Sequence, residues 1–414
     1  MSIRGTFTLP GDKSLSHRAL IFAAMSNGES KISNLSDGND VVSTRDCLVH
    51  CGIKIFDDGQ TTLIRGGSFT DPSTDLNCGN SGTTTRLLLG LLAGKGINAR
   101  FIGDQSLSSR PMDRVLNPLA KMGLKLKSND GRLPISIFKS DLNGIKHNSL
   151  IPSAQIKSAI LLAGIEATGK TSTTESILSR NHTEIMLKKL GATISTNNLT
   201  NTISKSSLSS LINFKVPGDP STSSFFATAA ILLPNSSITI DNILLNPTRI
   251  GFYRIIDKMG AKLDYLNEKF SFGEKLGSIK VVSSKLNNIN ISRNDIPGLI
   301  DELPLIALLA TQATGVTEVR DASELRFKEC DRIKAICKNL INMGANIKEL
   351  DDGFIVKGPT RLKGAKIKTY DDHRIAMTFS IAGLISNQGI ELDNPDCVAI
   401  SFPNFFQLLE RLKK

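Results

Sequence analysis

The chain has 414 residues, 40% of them hydrophobic and 21% charged, with a net charge of +11 at pH 7. That length is too great for one ordinary core and implies two domains, while no apolar run nears the ~20 residues of a membrane-spanning helix. The six cysteines form no CxxC pair and no Cys/His ligand spacing, which speaks against a disulfide framework and against a bound metal.

The first segment, MSIRGTFTLPGDKS, has neither the apolar stretch of a signal peptide nor an Arg/Ser-rich transit segment. Residues 2–9 read as a strand entering a motif, and a cytoplasmic protein is expected. Further along, the chain repeats itself, a feature to be sought before any other. Pro10-Gly11-Asp12-x-Ser14-x-Ser16 recurs as Pro217-Gly218-Asp219-x-Ser221-x-Ser223, an offset of 207, half the chain length. Within each half a helix-end-to-strand signature recurs, with glycines at 52, 123, 191, 260 and 344. Glycine suits the position just past a helix, where φ is positive. A period near 69 residues gives three repeats per half and six in all. Three of the strands then enter a turn at Asp57–Gly59, Asn129–Gly131 and Asp351–Gly353, each a hairpin signal.

Each repeat also carries a segment that is apolar nearly all round: residues 19–24, 87–93, 159–164, 226–233, 305–310 and 376–384. A helix without a polar face must be buried. Each repeat is therefore expected to hold a central buried helix, an outer amphipathic helix ending at the glycine signature, and strands around them. The fold class is α/β. Because the sixth glycine signature is missing, residues 2–9 are expected to complete the last repeat, with the chain crossing between domains near residues 11 and 218.

The polar motifs fall at the starts of the buried helices: GDKSLSHR (11–18), NSGTT (80–84), SAQIK (153–157), GDPSTS (218–223), IDEL (300–303) and DDHR (371–374). A helix start offers free N–H donors and the positive end of the macrodipole. Capping accounts for Ser, Asn or Asp at any one of them, and capping is also the plain alternative for Asp301. Lys13, Arg18 and Arg374 beside them are unfavourable unless an anion is present, so several such starts point to phosphate or carboxylate binding. Two more basic clusters lie elsewhere. Residues 103–112 form a loop presenting Arg110, and RFKECDR (326–332) places Lys328 and Arg332 at i,i+4 on one helix face, where ordinary surface ion pairs would explain them equally well. Glu302, next to Asp301, is expected to be a surface charge. The chain lacks a GxxxxGK[ST] loop, a GxGxxG after a strand, an HExxH pair and a GxSxG elbow. With no Trp and only three Tyr it has few stacking platforms for nucleic acid. A metal-independent site for small polyanions is expected.

In order along the chain, GDKSLSHR, NSGTT, SLSSRPM, SAQIK, SRNHTE, PGDPS, IDELP, LRFKECDR and DDHR resemble the motifs of the 5-enolpyruvylshikimate-3-phosphate (EPSP) synthase family from Leu9 to about Phe406. SAQIK, RNHTE (180–184) and NPTR (246–249) are similar to its class II members. The resemblance implies an enolpyruvyl transferase fold of six βαβαββ-type repeats, with residues 12–218 in one domain, 1–11 and 219–414 in the other, and an active site in the cleft between them. It implies transfer of the enolpyruvyl group of phosphoenolpyruvate to the 5-hydroxyl of shikimate 3-phosphate, a step toward chorismate and the aromatic amino acids, by a monomer needing no cofactor. Lys13, Ser14, Arg18, Ser153, Ala154, Gln155, Arg180, Asp301 and Lys328 would hold shikimate 3-phosphate. Lys13, Gly82, Arg110, Gln155, Arg332 and Arg374 would hold phosphoenolpyruvate. Asp301 would accept the hydroxyl proton, and Glu329 with Lys13 would manage the methylene and phosphate protons. Ile400 departs from the Lys of many members and Glu324 from the Asn of class I. Gly82 is the small residue of members sensitive to glyphosate, whereas the class II motifs lean the other way. Two other readings are a transferase acting on UDP-N-acetylglucosamine, whose reactive Cys is missing from residues 103–111, and a basic RNA-binding protein without catalysis.

Overall fold

All six apolar segments are helices in the computed structural model, which describes residues 1–414. They run Lys13–Met25, Gly82–Lys95, Ala154–Gly164, Pro220–Leu232, Leu303–Gln312 and His373–Ile385. Every residue from Leu15 to Met25 is buried, as is every residue from Leu303 to Thr311. A helix with no polar stripe has no side to turn toward water, and these become the centres of the repeats. None of the helices is long and apolar enough to cross a membrane.

Six small sheets surround them, five of four strands and one of two. In the second repeat, Leu76–Asn77 pairs parallel with Ala99–Ile102, which pairs antiparallel with Arg132–Phe138, and that strand closes a hairpin with Lys125–Asn129. The same order recurs in the third and fifth repeats. In each of these the strand before the central helix pairs with the strand after it. The helix-end glycines Gly52, Gly123, Gly191, Gly260 and Gly344 all have φ between 83° and 107°, which releases the chain from each outer helix into its hairpin.

The first and fourth repeats exchange their opening strands. Arg4–Thr8 leads into helix Lys13–Met25 yet pairs parallel with Ser237–Leu244, whereas Phe214–Lys215 leads into helix Pro220–Leu232 and pairs with Gly28–Ser33. The opening strand therefore completes the fourth repeat and not the sixth, a correction to the sequence expectation. Its inward side chains explain the choice: Ile3, Phe7 and Leu9 are buried in the core that contains Phe226, and Phe7 meets the Phe226 ring edge-on at 5.4 Å. The sixth repeat keeps only the parallel pair Ala365–Ile367 with Ile390–Leu392. Helix Phe405–Leu412 follows it in place of a hairpin, burying Phe405, Leu408, Leu409 and Leu412.

The chain divides into two compact units: Met1–Pro10, Pro217–Ser271 and Lys275–Lys414 in one, Gly11–Val216 with Phe272–Glu274 in the other. The short insertion is the tip of the hairpin formed by Lys262–Ser271 and Glu274–Val282. Phe272 meets Phe214 edge-on at 4.9 Å, and Glu274 Oε1 lies 2.7 Å from His182 Nδ1.

Candidate active site

In the unit built on residues 11–216, three central helices begin with a side-chain cap. Asp12 Oδ1 accepts from Leu15 N at 2.7 Å, Ser81 Oγ from Thr84 N at 3.1 Å, and Ser153 Oγ from Ile156 N at 3.5 Å. Capping thus accounts for these three residues but not for the cations beside them. Lys13 Nζ lies 2.9 Å from Asp40 Oδ2 and stays partly exposed. Arg18 is buried and donates to Thr183 Oγ1 at 2.7 Å, Ser158 Oγ at 2.8 Å and the Ser14 carbonyl at 2.9 Å. Arg180 donates to Ser14 Oγ at 3.1 Å, so Ser14, Arg18 and Arg180 form one group, and Ser158 Oγ, which accepts from Arg18, donates to the Ala154 carbonyl at 2.6 Å.

A second group gathers around Gly82. Arg86 Nη1 donates to Gln155 Oε1 at 2.7 Å, and Gln155 Nε2 donates to Thr83 Oγ1 at 2.8 Å. A Cβ on Gly82 would lie 2.7 Å from Arg86 Nη1 and 3.6 Å from Arg110 Nη1. The missing side chain is therefore what lets two guanidinium groups face this helix start. Sequence reasoning missed Arg86, although it follows Gly82 by four residues, one turn along the same helix face. Residues 103–112 are not the open loop expected. Asp104 caps the short helix Gln105–Ser109, and Arg110 is buried, donating to Asn80 Oδ1 at 2.8 Å and Ser106 Oγ at 3.0 Å.

Other motif residues serve the structure. Lys157 of SAQIK is 2% exposed and pairs with Glu175 at 2.6 Å and Glu184 at 2.7 Å. His17, His182 and His373 are all buried. Burial, aided by Lys13 and Arg18, pushes the His17 imidazole well below its ordinary pKa, so it is neutral. No group of three His, Cys, Asp or Glu residues is placed to hold a metal ion. Cys78 is fully buried, and no cysteine is disulfide-bonded. Ile400 packs against the apolar core.

In the other unit the polar network centres on Asp301. Its carboxylate lies 3.4 Å from Arg332 Nη1, 3.6 Å from Lys328 Nζ and 3.7 Å from Arg374 Nη2. Asp301 is not a helix cap, because the helix starts at Leu303 and no side chain caps it. Lys328 and Arg332 are not neighbours on a helix face either. A 3-10 turn ends at Phe327, Lys328 is extended, and the next helix starts at Arg332 with Asp331 as its cap. Tertiary packing alone brings both cations to Asp301.

Arg332 is 1% exposed and donates to Asp372 Oδ2 at 2.7 Å and Glu329 Oε2 at 2.6 Å. Burial opposes its charge, but Asp372, Glu329 and Asp301 outweigh that and hold its pKa above the ordinary value. Asp372 also accepts from Arg374 N at 2.9 Å, capping the sixth central helix while it orients Arg332. Arg374 is buried and donates to the Asp301 carbonyl at 3.1 Å. The expectation of a surface Glu302 fails: it is 3% exposed and its Oε1 lies 3.4 Å from Arg374 Nη1. It opens a helix wrapped in its own core, so its side chain is enclosed with the first turn. Burial raises its pKa, opposed by Arg374 and reinforced by Asp301. At the second PGD motif, Asp219 caps Ser221 N and accepts from Arg249 Nη2 at 2.9 Å.

Repeats of this kind, carrying clusters of Arg, Lys and carboxylates at the starts of buried helices, define an enolpyruvyl transferase fold. The chain superposes on the enolpyruvyl transferase NikO from Streptomyces tendae with a TM-score of 0.79 at 18% identity, covering 99% of this chain and 95% of that one, a likeness of fold alone. It superposes on an EPSP synthase from Acinetobacter baumannii with a TM-score of 0.88 at 35% identity, covering 99% and 96%. The 3-phosphoshikimate 1-carboxyvinyltransferase of Oceanobacillus iheyensis is 44% identical over 418 residues, spanning 100% of this chain and 97% of the relative. The profile of the EPSP synthase (3-phosphoshikimate 1-carboxyvinyltransferase) family matches residues 1–409. The chain belongs to the EPSP synthase family.

Proposed function

We propose that this protein transfers the enolpyruvyl group of phosphoenolpyruvate to the 5-hydroxyl of shikimate 3-phosphate, releasing phosphate. The observation that carries this reading is the Asp301 carboxylate within 3.7 Å of Lys328, Arg332 and Arg374, with Glu329 on the other side of Arg332. Two carboxylates set among three cations suit proton transfer on polyanions, since the cations can neutralise substrate charge while the acids exchange protons. Shikimate 3-phosphate is assigned to Lys13, Ser14, Arg18, Ser153, Ala154, Gln155, Arg180, Asp301 and Lys328. Phosphoenolpyruvate is assigned to Lys13, Gly82, Arg110, Gln155, Arg332 and Arg374, and the position of Arg86 beside Gly82 adds it to that set. Asp301 takes the proton of the attacking hydroxyl as its oxygen bonds to C2. Glu329 and Lys13 serve the proton delivered to C3 and the proton taken back from C3 as phosphate leaves C2 and the double bond re-forms.

Phosphate release from phosphoenolpyruvate tests the reading, measured with shikimate 3-phosphate and, in parallel, with UDP-N-acetylglucosamine. Release with the first acceptor alone is expected. Release with the nucleotide sugar alone, or with neither, would refute it.

A further inference from the structure

The three central helices of the unit containing Asp301 each begin beside buried polar side chains. Asp219, the cap of helix Pro220–Leu232, accepts from Arg249 Nη2 at 2.9 Å, and the same nitrogen donates to Ser221 Oγ at 3.2 Å. Glu302, ahead of helix Leu303–Gln312, is buried, and burial raises its pKa, with the Arg249 charge among those that oppose the rise. Its Oε1 meets Arg374 Nη1 at 3.4 Å, at the start of helix His373–Ile385. Arg249, Glu302 and Arg374 are all less than 10% exposed. Tyr253, whose hydroxyl lies 2.6 Å from Ser223 Oγ, packs beside helix Pro220–Leu232.

We propose that Glu302 is a positioning residue for Arg374, bracing its guanidinium so that one face is free for the substrate anion while two edges stay fixed. The inference rests on the activity proposed above. The geometry is that of a clamp built from consecutive residues. Nη1 donates to the Asp301 carbonyl at 3.1 Å and contacts Glu302 Oε1 at 3.4 Å, while Nη2 lies 3.7 Å from Asp301 Oδ2. Without Glu302, the Asp301 backbone and side chain alone hold the guanidinium, and Arg374 is free to collapse onto the Asp301 carboxylate. That would cost twice, since it misplaces a cation and occupies the base. A buried ion pair is weak evidence for a stabilising role, because apolar replacements are often as stable. A role in fixing geometry accounts better for a carboxylate at this position.

Steady-state kinetics with phosphate release as the readout separate positioning from general damage. Glu302→Ala is expected to raise KM for phosphoenolpyruvate roughly 10-fold or more, with KM for shikimate 3-phosphate changed by about 2-fold or less. Glu302→Gln keeps an acceptor oxygen in place and should restore KM to within about 3-fold of the native value. In an Arg374→Lys background, Glu302→Ala should add little, because the two residues act through one interaction. Should Glu302→Ala not fold, Glu302→Asp, shorter by one methylene, carries the same expectation at roughly 3-fold. An unchanged KM for phosphoenolpyruvate, an equal rise in both KM values, or additivity with Arg374→Lys would overturn the proposal. If the native enzyme released no phosphate, the activity would fail rather than the brace. A crystal structure of Glu302→Ala then decides alone: the Arg374 guanidinium should have shifted onto the Asp301 carboxylate, and an unmoved guanidinium would refute the brace.

Discussion

Asp301→Asn separates catalysis from architecture, because the structure removes the capping role that would have explained this residue more simply. Three cations lie 3.4–3.7 Å from the carboxylate. Each contact is worth at most about 5 kcal/mol at an effective dielectric near 20. Most of that is not lost in the variant. Arg332 retains Asp372 and Glu329, Arg374 retains Glu302 and the Asp301 carbonyl, and the Asn amide keeps an acceptor oxygen. A net cost of about 1 kcal/mol follows, or roughly 2–4 °C in Tm. The chemical cost is larger. Removing a general base typically lowers the rate 10²–10⁴-fold, and each tenfold corresponds to about 1.36 kcal/mol. We therefore expect kcat to fall by about 10²-fold or more, with KM for shikimate 3-phosphate changed several-fold at most. Initial-rate phosphate release and thermal unfolding on the same preparation give both numbers. Glu302→Gln cannot serve as the control, since Glu302 is buried. Glu391→Gln can, its side chain being 70% exposed and paired only with Lys366 at 3.6 Å. Near-native turnover of Asp301→Asn would refute the assignment and return the base role to Glu329 or Lys13. A collapse in Tm with parallel loss of rate would show that Asp301 is structural.

Gly82→Ala places a methyl 2.7 Å from Arg86 Nη1, so the guanidinium must move. KM for phosphoenolpyruvate should rise several-fold with KM for shikimate 3-phosphate nearly unchanged, and equal shifts in both would contradict the placement of phosphoenolpyruvate beside Gly82. Lys157→Met leaves Glu175 and Glu184 buried without their cation, which should cost about 3–5 kcal/mol in a urea titration. A loss under ~1 kcal/mol would show that water reaches the pair. Burial pushes the thiols of Cys51, Cys337 and Cys397 up to about 12 and raises that of Cys330 as well, while Cys47 and Cys78 are 1% and 0% exposed. At pH 8 only about one in 10⁴ of a pKa-12 thiol is thiolate, so a thiol-blocking reagent should leave turnover intact. Rapid inactivation, prevented by phosphoenolpyruvate, would point to a cysteine in the chemistry.

What the sequence by itself determined were the features that depend on neighbours a few positions apart. The all-round apolar helices, the positive-φ glycines after the outer helices and the caps at Asp12, Ser81, Ser153 and Asp372 follow from helix periodicity and from the backbone groups left open at helix ends. Those local rules located all six polar helix starts, IDEL included, since its Leu303 is the first residue of the helix and Glu302 precedes it. Tertiary structure alone decided which starts share a network. Lys328 and Arg332 meet Asp301 although no helix spans them, because packing across the sequence brings 301, 328–332 and 372–374 together. Glu302 looks like any acidic first-turn residue until the surrounding helices enclose it. The exchange of opening strands between the first and fourth repeats was equally out of reach. Residues 4–8 and 214–215 both carry the pattern of a strand, and a strand's pattern names its buried face but not its partner. The partner is settled only when Ile3, Phe7 and Leu9 find the core around Phe226.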